Sequence, residues 1–487
     1  MNKTRTHKRI AIATAVIASV SLFAMLPLGL PAGAVKGPSA PVFSGSGALK
    51  GKQGTAMNLT ITTKASPTAA LGVSGVLPPG VHFADNGNGT GSLTDPTPLG
   101  GTYSITIDAT NSVATTTRTF TLTVKSKLPQ VRHVFVIMLE NEGYASTFGN
   151  PSADPYLATT LPSTGALLPN YYGVGHFSNS NYTGFISGQP PTAANQFDCA
   201  GSGYIDFPLG SGQDANGIQQ GNGCVYPAAV PTLADQLTNA GLRWKGYSED
   251  MGNVPTRESA TCGHPALNGT DGTLAAVAGD GYASRHNPFV YFHSIIDNST
   301  VCNQNVVPLG DTSGNLPAGA PVGTTGLVTD LASVATTPNF SYITPNLCND
   351  GHDYPCTSQT SPTGSAVGDV DAWLATWIPI IKASPAYLQD GLIEVTFDEA
   401  GFSDSTACCG ETPGPAANSG GNGISGPGGG IVGTVLISPF ITAGTVVSKY
   451  PYNHYSSLAS IEDLFGLPRL GEAKSVTTTF DKHVYTP

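Results

Sequence analysis

At 487 residues with 40% hydrophobic side chains, the chain is too long for one small core and has enough apolar material for two or more domains. Charged residues make up only 11%, whereas Gly (60) and Pro (38) are plentiful, which points away from a cytosolic helical protein and towards a loop-rich secreted one. A formal net charge of −11 argues against a nucleic-acid backbone as partner, because binding phosphates at scale needs a basic face; a few local cations can still hold one phosphate.

In chain order, Lys3, Arg5, Lys8 and Arg9 precede an apolar run from Ile10 to Leu30 that leads into Ala32-Gly33-Ala34. The run is about long enough for a membrane anchor. Pro27, Gly29 and the Ala-x-Ala ending favour a cleaved signal peptide over residues 1–34 and a secreted or cell-surface protein. From 35 to 126 short alternating runs follow, among them Met57 to Thr62, Tyr103 to Asp108 and Thr119 to Val124, the period of half-buried strands. With no helical period, this reads as a small β-sandwich. Leu77-Pro78-Pro79-Gly80-Val81 and Gly100-Gly101-Thr102-Tyr103 resemble the immunoglobulin-like modules of bacterial surface proteins, although no Cys pair or Trp is present. It holds no titratable cluster, so a spacer is expected, or an attachment to cell-wall or surface glycans.

After a polar linker with Pro129, His133 to Leu139 is a buried-strand run that ends in Glu140-Asn141. In open α/β sheets, ligands bind at that edge. Pro231 to Gly241 predicts a helix entered at Thr232, and Asp369 to Ala383 a second with Trp373 and Trp377 on its core stripe. Leu392 to Phe397 and Ile431 to Ile437 are strand-like, so the second part, 127–487, is expected to be α/β with a mostly parallel sheet covered on both faces. Eight cysteines behind a signal sequence predict disulfides, and nearest-neighbour pairing joins Cys199 to Cys224, Cys262 to Cys302, Cys348 to Cys356 and Cys408 to Cys409. The Gly420 to Gly430 stretch has no lysine and reads as a surface loop, not a phosphate cradle; Gly-x-Ser-x-Gly and His-Glu-x-x-His are absent.

Leu139-Glu140-Asn141, the Ser178 segment Gly175-His176-Phe177-Ser178-Asn179-Ser180-Asn181, Trp244 to Met251, His286-Asn287-Pro288, Asn349-Asp350-Gly351-His352-Asp353, Phe397-Asp398-Glu399 and Asn453-His454-Tyr455 form an ordered series. From about Val131 to Ala473 it resembles the bacterial phosphoesterase family of acid phosphatases and phospholipases C, in the alkaline-phosphatase superfamily. The resemblance implies an alkaline-phosphatase-like sandwich that hydrolyses phosphate monoesters through a serine nucleophile, with a divalent metal. Small phosphate esters or phospholipid head groups are the implied substrates.

Ser178 is then the nucleophile, with Ser180 a substitute, since a serine hydroxyl needs a metal or base to attack. Asn181, in a Ser-x-x-Asn spacing, is expected to hold phosphoryl oxygens. Glu140, Asn141, Asp398 and Glu399 are the expected oxygen ligands of the metal, and Glu399 stands where the superfamily has His, which weighs against zinc. Asp350, His352 and His454 resemble the second half of the superfamily site, with Asn346 or Asp353 as alternatives. There the Asp would bind metal, and the two histidines would bind metal or serve the leaving group. His286 and His176 are expected to contact phosphate. Phospholipase C is the alternative activity, though Leu139 to Tyr144 lacks the Gln and Arg-Ser-Phe pattern usual there; a noncatalytic surface binder is the alternative outside enzymes.

Overall fold

The computed structural model describes residues 37–485 apart from 76, 79, 97 and 416–425. The expected signal peptide therefore lies outside the described residues. Eight strands come first: β1 (Ser39–Phe43), β2 (Ala48–Lys52), β3 (Met57–Ser66), β4 (Ala70–Ser74), β5 (His82–Asp85), β6 (Thr90–Asp95), β7 (Gly101–Thr110) and β8 (Thr115–Lys125). They form two four-stranded sheets, β1-β3-β6-β5 and β2-β8-β7-β4, closed on a core that includes Ile61, Leu93, Ile107, Phe120 and Leu122. Alternation of Thr or Ser with aliphatic or aromatic residues makes one face of the long strands β3, β7 and β8 apolar, which favours β structure here.

The second part is built on β9 (His133–Leu139), β10 (Ala166–Leu168), β11 (Tyr171–Tyr172), β12 (Trp244–Ser248), β13 (Val306–Pro308), β14 (Phe340–Thr344), β15 (Gly391–Phe397), β16 (Thr434–Ile437), β17 (Thr445–Val446) and β18 (Tyr452–Asn453). The main sheet runs β13-β12-β14-β9-β15-β16-β10-β17. Its first five strands are mutually parallel, and β16 runs antiparallel between β15 and β10. Every residue of β9, β14 and β15 is buried, as strands covered on both faces must be. The fold is thus α/β with a parallel-rich sheet, preceded by an all-β region.

The two helices expected from pattern form, as Leu233–Asn239, capped by Thr232, and Ala366–Lys382, which starts three residues earlier than expected because Ser365 caps it. Trp373 and Trp377 are buried in the core. All eight cysteines are disulfide-bonded in the nearest-neighbour pattern. The glycine-rich stretch departs from expectation in its last residues: Gly428, Gly429 and Gly430 are buried, and a Cβ on Gly429 would lie 2.5 Å from the Gly175 carbonyl oxygen. That close approach lets the segment wedge behind the loop that leads into Ser178.

The β region docks on the α/β part through the Gln53 side chain, which donates to the carbonyls of Asp463 and Leu464, and through Arg132, which donates to the Gly100 carbonyl. Leu99 packs in the α/β core. A cavity of about 750 Å³ lies between the parts and contains none of the sequence-predicted site residues. Deleting residues up to Val124 should lower the melting temperature yet keep the expected phosphate-ester hydrolysis within a few-fold of the intact protein. A folded truncation without activity would show that the β region helps to build the site.

Candidate active site

Two parallel neighbours set the position of the site. β9 and β15 pair with Leu139 opposite Phe397, so Glu140 and Asp398 leave the sheet side by side at its carboxyl edge. The Asp398 amide donates to the Leu139 carbonyl (2.9 Å), and the Glu140 amide to the Asp350 carbonyl (2.8 Å), which ties the loop after β14 to the same edge. Asn141 sits at φ 60°, and its amide donates to Asp398 Oδ1 at 3.0 Å. Asp398 Oδ1 also accepts from the Glu399 amide (2.6 Å), while Asp398 Oδ2 is buried with no hydrogen-bond partner.

Ser178 is the first residue of the Ser178–Ser187 helix, all ten residues of which are buried. Its hydroxyl donates to Glu140 Oε2 at 2.8 Å. Asn181, expected at phosphate, has its amide engaged elsewhere: Oδ1 accepts from the amides of Val174 (2.8 Å) and Gly175 (3.1 Å), and Nδ2 donates to the carbonyls of Gly175 (2.8 Å) and Phe177 (3.3 Å). It braces the entry loop. Ser180 Oγ donates to the Phe177 carbonyl (2.8 Å). His176 Nε2 donates to the Asp404 carbonyl (3.1 Å), so its Nδ1 shares one proton with Glu399 Oε2 across 2.6 Å.

His286 lies between acids, with Nδ1 3.1 Å from Asp350 Oδ2 and Nε2 3.2 Å from Glu140 Oε1, the latter pair out of line for a hydrogen bond. Its ring stacks on Tyr182 at 5.1 Å. His352 Nε2 is 3.1 Å from the Arg285 guanidinium, which can only donate; Nδ1 therefore carries the proton and donates to Asp353 Oδ1 at 2.7 Å. Arg285 is buried, donates to the Leu274 carbonyl and faces Asp198 at 3.7 Å. His454 lies behind Asp398, where Nε2 donates to the Asp398 carbonyl (2.6 Å) and Nδ1 accepts from the Tyr171 hydroxyl (3.1 Å). It does not line the cavity above Ser178, and burial pushes its pKa down to about 4.

That cavity, about 500 Å³, is lined on its polar side by Asn141, Ser178, Asp198, Arg285, His352 and Glu399. Arg285 and Asp198 were not singled out from sequence. The only signal was the position of Arg285 directly before His286-Asn287-Pro288.

The model of the Phosphoesterase family matches residues 151–468. The chain belongs to the Phosphoesterase family. Glu140 and Asn141 lie just N-terminal to the matched residues. An acid phosphatase of Aspergillus fumigatus is 28% identical over 340 residues, 69% of this chain and 55% of that protein. A probable acid phosphatase of Kluyveromyces lactis is 23% identical, covering 70% of this chain and 59% of its own length. A phosphatidylinositol-3-phosphatase of Mycobacterium tuberculosis is 24% identical, covering 73% and 84%. The chain thus spans little more than half the length of the two fungal acid phosphatases.

In this member of the family four buried carboxyls crowd one place. Burial pushes the pKa of Glu140 well up, helped by Asp398 and Asp350; burial and then Glu399 do the same to Asp398, and burial and then Asp198 to Glu399. Burial also raises Asp350, against the His352 amide and Arg285. Burial lowers His286, with Arg285 and His352 adding to it. For Arg285 the order reverses: burial opposes its charge, but Asp198, Glu140 and Asp350 together outweigh burial and raise it. Asp398 Oδ2, Glu140 Oε1 and His286 Nε2 are all buried without hydrogen bonds, an arrangement that costs free energy unless a cation meets them. Glu140, His286 and His352 also offer ligand atoms within 4.8 Å of one another. Glu140, His286 and His352 therefore fit a divalent ion, whereas Asp350, Asp398 and Glu399, expected as ligands with Glu140, fall outside that group. Cys408, Cys409 and Glu411 cluster as closely, but both sulfurs are held in a disulfide.

Proposed function

We propose that the chain is a secreted phosphate-monoester hydrolase of the acid-phosphatase type that carries the phosphoryl group on Ser178. The observation that carries this reading is the Ser178 hydroxyl at the N-terminus of a helix, 2.8 Å from Glu140 and in one cavity with the buried cation Arg285. Glu140, Asn141, Asp398 and Glu399 would hold a divalent ion, with His286 beside them. When bound, the ion supplies the positive charge that keeps these acids ionised and the serine oxygen nucleophilic.

The chain's own groups account for the rest. Glu140 Oε2 holds the proton of Ser178 as its Oγ attacks phosphorus and the ester oxygen departs. The helix N-terminus and Arg285 face the oxygens on which charge builds. Water then attacks the phosphoserine, the bond from phosphorus to Oγ breaks as Glu140 returns its proton to Oγ, and the second proton of the water goes to the departed ester oxygen. His352 holds Arg285 in place, its Nε2 accepting from the guanidinium while its Nδ1 donates to Asp353. Asn181 serves by shaping the loop, and His176 by holding Glu399.

A second reading, hydrolysis at a phospholipid head group, is favoured by the phosphatidylinositol-3-phosphatase relative. Attachment to cell-wall glycans remains the proposed role of the β region. Turnover of p-nitrophenyl phosphate against phosphatidylcholine, each with and without chelator, tests the assignment. Chelator-sensitive hydrolysis of the monoester is expected, and activity on the lipid alone would reverse it.

A further inference from the structure

The lining of the cavity above Ser178 is only partly polar. Its apolar residues are Phe177, Phe197 and Phe402, with Leu274 and Ala200. The three rings come from separate segments, the loop before the Ser178 helix, the turn Asn195–Phe197 and the loop after β15. Phe177 sits 5.2 Å from Phe402 at 60° and 5.5 Å from Phe197 at 47°. Phe402 is 40% exposed, and Phe177 and Phe197 are half-buried. Solvent-facing aromatic rings gathered at the mouth of a polar cavity mark a surface that something apolar covers.

Resting on the reading of Ser178 as nucleophile, we propose that this wall selects phosphate esters whose departing alcohol carries a planar aromatic ring. A group that leaves in line points away from Ser178 Oγ, towards the mouth, and Phe177 is the residue next to the serine in sequence. The charged groups lining the cavity are turned to the phosphoryl end: Arg285 faces His352 and Asp198, and Asp198 accepts from the Asn179 amide. The alcohol side thus offers rings and few hydrogen-bonding groups, which disfavours a sugar. The ring separations decide between a flat and a cationic group. An aromatic cage for a quaternary ammonium needs rings that face one another across the ligand. Here neighbouring rings touch, forming one continuous surface on which a ring stacks offset or edge-on.

The test uses the metal-replete protein and three esters of alkyl alcohols, so that leaving-group chemistry stays comparable: benzyl phosphate, propyl phosphate and phosphocholine. Affinity for benzylphosphonate against propylphosphonate is measured by calorimetry in parallel. We expect kcat/KM for benzyl phosphate to exceed the other two by about tenfold, with the same order in the phosphonates, and Phe402→Ala or Phe197→Ala to shrink the benzyl-to-propyl ratio about 3- to 10-fold, the worth of an aromatic pair. Turnover without a benzyl preference, a preference for phosphocholine, or a ratio unmoved in both variants would overturn the wall and leave the phosphatase reading standing. A benzyl preference in binding that both variants lose, with no turnover of any ester, would keep the wall and sink the catalytic reading.

Discussion

Ser178→Ala is expected to remove turnover by a factor on the order of 10³ or more, because no other group inherits an equally activated oxygen. The fold should survive, since the lost hydroxyl makes one hydrogen bond, to Glu140 Oε2, and leaves no space larger than an oxygen. Ser180→Ala is the matched control. Its hydroxyl donates to the Phe177 carbonyl, whereas Ser178 is the one bonded to Glu140, so loss of the Ser180 hydroxyl should cost a few-fold in rate at most. Steady-state kinetics on p-nitrophenyl phosphate, with acid-quench trapping of a phosphoprotein, reads both. An active Ser178→Ala beside a dead Ser180→Ala would put the nucleophile one residue pair along. If both variants are active, covalent transfer through this helix is wrong.

Much of the frame that holds this serine was legible in sequence, and what was not has a physical reason. Val134 to Leu139 is short and continuously apolar, and Leu392 to Phe397 is apolar but for Glu394 and Thr396, so both read as strands of the sheet, and the acids after them fall at one edge. The Ser178–Ser187 helix did not read as one, because Ser, Asn, Tyr and Thr are poor helix formers. Burial of all ten residues overrides propensity there. Arg285 went unnoticed because an arginine acquires meaning only from what surrounds it. Here that is Asp198 and His352, brought from distant segments, with the Leu274 carbonyl from just upstream. Asn181 shows the reverse: its spacing from Ser178 suggested phosphate, yet in a tight loop full of backbone amides a side-chain amide finds partners closer at hand. His454 follows β18 directly and so starts its helix behind Asp398, a position that spacing along the chain does not reveal.

The second large effect is expected from the carboxyl cluster, and its sign depends on whether metal is present. Without metal, the carboxyls of Glu140, Asp350, Asp398 and Glu399 hold their protons more tightly in the folded chain than in the unfolded one. The folded state then binds more protons once pH exceeds the ordinary carboxylate value of about 4. Stability is therefore fully present below that value and is lost as pH rises towards the raised folded pKa values. A divalent ion reverses this by pairing with the ionised forms, so its uptake should release protons and weaken as pH falls. The gap in melting temperature between metal-loaded and chelated protein should accordingly widen from about pH 4 upwards. Asp398→Asn removes the charge but keeps the shape. It should leave the chelated protein as stable as the parent or more so at neutral pH, while weakening metal affinity by at least about 100-fold, the upper range for disturbing a ligand's outer partners. Calorimetric metal titrations in buffers of different ionisation enthalpy count the protons released, and thermal scans read the gap. A melting temperature in chelator that does not change with pH, or an Asp398→Asn protein that binds metal as the parent does, would mean that the four acids are not the cation's seat.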